Sequence, residues 1–167
     1  LIMPLDLGSR SQILATMERL HLSAGESGEF SQIDPRNLPG LLVSAGDFVV
    51  GQRRYGILSA DIQAEPMGLR LASLQAVNEG FTLKGSGDWY GRAQDFSTRL
   101  ALTLNSADVA IALDELALDP VLEGEFAEVI ANVYWPGGPS GDWRQAISGD
   151  VALRLEQGSV LDLEPGA

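Results

Sequence analysis

The chain carries a single histidine, His21, so general-base chemistry near neutral pH would have to begin there. An imidazole base needs a carboxylate to orient it and a nucleophile to activate. Glu18 is near in sequence, but no Gly-x-Ser-x-Gly elbow supplies the serine. With Leu20 and Leu22 on either side, His21 reads as an exposed strand histidine. Acidic residues are plentiful: Asp114, Glu115, Glu123, Glu125, Glu128, Asp142, Asp150, Asp162 and Glu164. Glu123 and Glu125 alternate onto one face of a strand, the spacing from which a calcium site or a glycosidase carboxylate pair is built. No Asp-x-Asp-x-Asp-Gly loop accompanies them, and outward charges on a sheet are an ordinary solubility device. No phosphate-cradling glycine loop precedes a helix. The sequence points to no catalytic residue, no metal ligand and no cofactor.

Composition narrows the partners. A formal charge of −12 over 167 residues argues against nucleic acid, which needs a basic footprint to release phosphate counterions. It argues equally against docking flat on an anionic membrane. With no cysteine there is no disulfide, thiol catalysis or thiolate metal site. No run approaches the roughly 18 apolar residues of a membrane-spanning helix. Leu1 and Ala167 both fall in strand-like sequence without a signal peptide, so a segment of a longer chain is expected.

The elements read as mainly β. Residues 1–39 form a less regular opening: a strand stub over 1–11, a stretch from Ser11 to Leu22 that fits helix or strand, and a loop at Ala24–Gly28. It ends in the Pro-rich connector Ile33–Gly40. Residues 40–106 read as a meander of short strands about ten residues apart, punctuated by turns such as Glu65-Pro66-Met67-Gly68. Gly46 interrupts the first of them, as a bulge would. Residues 107–118 lack Gly and Pro and place Val109, Leu113 and Leu116 at helical spacing, with Ser106 or Asp108 available as a cap. A short helix is expected there, a strand being the alternative. Residues 121–167 return to long strands broken at Trp135-Pro136-Gly137 and Gln157-Gly158. Gly87-Asp88-Trp89 resembles the Gly-x-Trp of lipocalins, but that motif opens a first barrel strand; mid-chain, it reads as a packed aromatic at a hairpin.

What these strands display is apolar surface. Leu69 and Leu71, Phe81 and Leu83, Leu100, Leu102 and Leu104, Phe126, Ile130 and Tyr134, and Val151, Leu153 and Leu155 each mark one face, opposite Arg70, Lys84, Thr103, Glu125 and Arg154. A sheet with one apolar face must cover it. One short helix is too small for about eight strands. Either the sheet folds over as a sandwich or barrel, or the face is a groove for an apolar ligand.

Residues 134–167 resemble the YhdP family of AsmA-like envelope proteins. The resemblance rests on Trp135-Pro136-Gly137, the strand after it, and Asp162-Leu163-Glu164-Pro165-Gly166-Ala167. Asp34-Pro35-Arg36-Asn37-Leu38-Pro39, Asp47-Phe48-Val49-Val50-Gly51 and Gly85-Ser86-Gly87-Asp88-Trp89 fall in the family's order. The sequence departs at Ser159-Val160 and in the acidic, Ala-rich segment 107–118. The resemblance implies a mainly β fold: a curved, strongly twisted antiparallel meander forming a groove or open tube, with one or two short helices. It further implies a non-enzymatic segment of a periplasmic protein anchored in the inner membrane outside this stretch. Its groove would pass phospholipid acyl chains towards the outer membrane, and its other partners would be neighbouring segments of the same long chain. On that reading the thirteen apolar positions named above line the groove. The competing reading is a structural or protein-binding β-sandwich module.

Overall fold

Alternation of apolar and polar residues along each strand sends one set of side chains to each side of a sheet. The computed structural model describes residues 12–22, 33–92, 95–116, 118, 122–139, 146–157 and 159–160. The strands are β1 (Gln12–Leu22), β2 (Gly40–Val50), β3 (Arg53–Glu65), β4 (Gly68–Val77), β5 (Thr82–Arg92), β6 (Asp95–Ser106), β7 (Leu122–Glu123), β8 (Phe126–Pro136), β9 (Ser148–Glu156) and β10 (Ser159–Val160). Eight of them make one open sheet in the order β1-β2-β3-β4-β5-β6-β8-β9, and β7 pairs with β10 in a separate two-stranded ladder. A single helix, α1 (Val109–Glu115), and a 3-10 turn at Pro35–Asn37 complete the described elements. The strand stub of 1–11, the loop at 24–28 and the motif 162–167 lie outside the described residues.

From β2 to β9 each strand runs antiparallel to the next, as a meander requires. The departure is at the beginning. Residues 12–22, left open between helix and strand, form an eleven-residue strand that runs parallel to β2. A parallel neighbour cannot be joined by a tight hairpin. The expected irregularity at Gly46 is present, the register of β2 against β3 shifting between Ala45 and Phe48. Across from it Gly56 adopts a φ of +77, and a side chain there would meet the Val77 carbonyl oxygen at 2.1 Å. Only glycine fits this corner, which turns the neighbouring Tyr55 onto the same side as Phe48.

Helix α1 begins where the sequence allowed. Asp108 is the cap, its carboxylate accepting from Ile111 N at 3.1 Å. Ser106 ties the helix start to the sheet instead, its hydroxyl donating to Gly80 O and accepting from Asp108 N. The helix presses Val109 and Ala112 inward and lies against Gly80, where a β-carbon would come within 2.9 Å of helix backbone.

Candidate functional site

The register reveals cross-strand rows, each a line of side chains on one face. One row reads Met17, Ala45, Leu58, Ala76, Leu83, Leu104, Val129, Leu153. Its neighbour reads Ala15, Val43, Ala60, Leu74, Gly85, Leu102, Ala131, Val151, and the next Ile13, Leu41, Ile62, Leu71, Gly87, Leu100, Val133, Gly149. No charged residue occurs in any of them. A fourth row, Ala64, Leu69, Trp89, Thr98, Trp135, closes the face at one set of strand ends.

No second layer covers this face among the described residues, yet much of it is shielded. Ala45, Leu58 and Ala76 form a buried cluster against Met17, Leu20, Val43, Phe48, Tyr55, Leu74 and Leu83, which stand on the same side of the same sheet. Ala76 is 1% exposed. A flat sheet with nothing over it cannot bury its side chains so fully; a curved sheet that brings its own rows together can. Small residues permit the curvature. In the middle of β5, Gly85 and Gly87 leave no side chain on this face, and Leu102 and Leu100 lie so close that a β-carbon would meet each at 2.7 Å. Here glycine marks a crease rather than a turn.

The opposite face carries the charge. Asp47 accepts from Arg19 at 3.0 Å and from Arg54 at 3.1 Å, linking β1, β2 and β3. Its carboxyl is held below its ordinary value chiefly by the hydrogen bond from Arg54, with Arg19 adding to it. Glu65 accepts from the Tyr90 hydroxyl at 2.5 Å and lies 3.7 Å from Arg70. Partial burial and that carboxylate push the Tyr90 phenol up to about 12. These groups are spent on one another.

Of the thirteen positions expected on the apolar face, ten are there: Leu69, Leu71, Phe81, Leu83, Leu100, Leu102, Leu104, Val151, Leu153 and Leu155. The other three are a correction. Phe126 pairs with Glu156, Ile130 with Thr103, and Tyr134 with Arg99 and Ser148, which puts all three on the polar face. In β8 the apolar face belongs to Ala127, Val129, Ala131, Val133 and Trp135. Both parities of this strand carry apolar residues, and the larger ones, interleaved with Glu128 and Asn132, stand on the polar face. Tyr134 instead helps line a shallow depression of about 460 Å³ on the polar face, with Ser86, Asp88, Arg99, Asn132 and Asp150.

The residues considered for chemistry are dispersed. His21 stands at the end of β1 and its ring Nε2–H donates to the Gly51 carbonyl at 3.2 Å. Glu125 is exposed between β7 and β8, and the Glu123 side chain lies outside the described residues. Among the described residues no group of three metal-ligating side chains converges, and no helix is long and apolar enough to cross a membrane. The site this chain offers is a surface: an uncharged apolar face running through all eight strands.

No curated protein and no solved structure gives a significant match to the chain. The family described as YhdP protein matches residues 2–167, a span that takes in every strand of the apolar face, and the chain therefore belongs to the YhdP family.

Proposed function

We propose that the chain is a segment of a periplasmic, inner-membrane-anchored AsmA-like protein whose apolar face carries phospholipid acyl chains between the inner and outer membranes. The observation behind this reading is the run of adjacent rows without a charge on an open sheet. Burying apolar surface is favourable by about 0.8 kcal/mol per methylene, so such a face holds an alkyl chain. Because each row repeats nearly the same chemistry from strand to strand, a tail shifted sideways over its accessible part, from β6 to β9, exchanges like contacts for like. Movement across the strands is then nearly isoenergetic, as a passive conduit needs. Family membership supports an envelope protein; a reacting group is not part of the reading.

Two measurements test it. Organic extraction of the purified chain, followed by mass spectrometry, should recover glycerophospholipid, and a lipid-free chain would sink the proposal. Leu102→Asp puts a carboxylate in the middle of the face. It should leave the circular dichroism spectrum intact while lipid recovery falls at least tenfold. Loss of folding instead would favour a closed core.

A further inference from the structure

Aromatic residues on the apolar face are confined to its two margins. Phe48, Tyr55 and Phe81 cluster at one set of strand ends, with ring centroids 5.5 and 6.0 Å apart. Trp89, Phe96 and Trp135 stand at the other set, where Trp89 and Trp135 flank Thr98 in one row. The three rows between are aliphatic or glycine throughout. Rings of this kind, apolar in body and in the case of tryptophan polar at one edge, settle where hydrocarbon meets water.

Charged groups stand near both margins, Arg53 donating to Leu116 O beside α1; the two differ in whether their buried polar atoms are satisfied. At the Phe81 margin α1 lays its apolar residues Val109 and Ala112 over the ends of the strands, and the Ser106 hydroxyl is satisfied by Gly80 O and Asp108 N. At the tryptophan margin charged groups reach the edge, the Arg36 guanidinium lying 5.8 Å above the Phe96 ring with Asp34 bound to it. There too is the one buried side-chain polar atom without a partner among the described residues, Trp89 Nε1, on a side chain only 7% exposed. A buried donor without an acceptor is costly and calls for a physical reason. The turn after β8 packs on that edge of the ring: a β-carbon on Gly138 would stand 2.9 Å from Cζ2 and 3.2 Å from Cε2 of Trp89.

Length is the third observation. Phe81 and Trp89 are eight residues apart along β5, roughly 26 Å at the rise of a strand. Half the hydrocarbon core of a bilayer, the depth of one tail, is about 15 Å. A tail that starts at the tryptophan margin therefore ends within the aliphatic rows, short of the Phe81 cluster.

Resting on the conduit reading above, we propose that a bound phospholipid lies along the strands with its acyl chain in the aliphatic rows and its ester and phosphate oxygens at the Trp89–Trp135 margin. Trp89 Nε1 is the donor waiting for one of those oxygens, at the edge of a turn that Thr98 and Trp135 hold through the Gly137 and Gly138 carbonyls. Lipid then travels sideways from strand to strand, its polar end following one margin of the sheet.

Tryptophan fluorescence tests the orientation. Trp143→Phe leaves Trp89 and Trp135 as the only tryptophans, excited selectively over tyrosine at the red edge and both at the proposed polar margin. The chain is loaded with phosphatidylcholine brominated on the acyl chain either close to the ester or close to the terminal methyl, and bound lipid is counted by phosphorus assay. Bromine near the ester should quench at least twice as strongly as bromine near the methyl, and the unaltered chain read in parallel should rank the two lipids in the same order. Equal quenching, the reverse order, or bound lipid without quenching overturns the orientation and leaves the conduit standing. No bound phosphorus overturns the conduit itself. Trp89→Phe keeps the ring and removes the donor. It should weaken phospholipid binding about fivefold, the worth of one ordinary hydrogen bond, with thermal stability unchanged or raised and binding of a bromoalkane unaffected. An equal loss for both ligands would make Trp89 a packing residue only.

Discussion

One row of the sheet contains both extremes of burial. At Leu58 and Ala76, in β3 and β4, it is 5% and 1% exposed; at Leu153, in β9, it is 53% exposed. The side chains are of one kind, and no separate layer lies over either end among the described residues. Position in the sheet makes the difference. Strands β2 to β5 have neighbours on both sides whose apolar side chains, with Phe48 and Tyr55, close over the row. β9 has a neighbour on one side only, and Val151 beside Leu153 is 68% exposed. The same apolar pattern thus serves as core at β3 and β4, is half-buried through β6 and β8, and becomes open surface at β9. In an ordinary domain these roles fall to different residue patterns.

The sharpest way to break this comparison is to put one charge at each end of the row. Leu58→Asp should cost several kcal/mol, as an unpaired carboxylate among buried side chains does, and unfold the chain at room temperature. Leu153→Asp should change stability by less than about 0.5 kcal/mol, as exposed substitutions do, while lowering lipid recovery. Urea titration followed by circular dichroism compares them. Similar losses from both would mean that the row is one continuous core, and the distinction between its ends would be gone.

How much of this could be read in advance depends on where the physical signal sits. Strands flanked by Gly or Pro turns were legible, because period-two alternation and turn chemistry are local: the Pro66–Met67 turn and the bulge at Gly46 fall where expected. The helix at 109–115 was legible from its cap and spacing, Asp108 proving to be the residue that caps. β1 was not, because Ile13, Leu14, Met17 and Leu20 fit helical spacing while Met17, Leu20 and Leu22 fit a strand as well, and its parallel pairing depends on a partner distant in sequence. The misplacement of Phe126, Ile130 and Tyr134 has a similar source. Alternation assigns two parities but not which one faces inward, and here small residues, Ala127 and Ala131, occupy the crowded side. Residue size is a poor guide where the sheet bends and space is short. The contrast between the two margins rests on where separate strands end relative to one another, which no local pattern encodes.

Between the two ends lies the crease at β5, and filling it should sharpen the comparison at smaller cost. A side chain on Gly87 would begin 2.2 Å from the Arg99 carbonyl oxygen and 2.7 Å from Leu100 Cδ2. The first contact is with backbone and cannot be relieved by a rotamer change. Gly87→Val should therefore destabilise by about 1–3 kcal/mol, the range for overpacking, although valine favours strands elsewhere. The measurement is the urea midpoint, with hydrogen exchange of β6 amides to locate the damage. Faster exchange confined to β5, β6 and β8 would place the bend there; unchanged stability would show that the sheet curves without it.

The smallest effect belongs to the polar face, where Asp47 joins three strands through Arg19 and Arg54. The carboxyl is held below its ordinary value of 3.8, first by the Arg54 hydrogen bond and then by Arg19. A group whose folded-state value is depressed stabilises the fold above its unfolded value and loses that contribution as pH falls through the folded one. Unfolding midpoints should accordingly decline on acidification below about pH 4, and Asp47→Asn should flatten that decline while leaving the neutral-pH midpoint only slightly lower. Asp34, lowered in the same direction by its hydrogen bonds from Arg36, titrates in both proteins, so the difference between the two curves isolates Asp47. High salt should shrink the difference, since both arginine partners are largely exposed even though Asp47 is half-buried between them. A salt-insensitive difference, or a steeper decline in Asp47→Asn, would mean that the bulge at residues 46–48 depends on this carboxylate for more than its charge. The polar face would then help shape the curve that the apolar face requires.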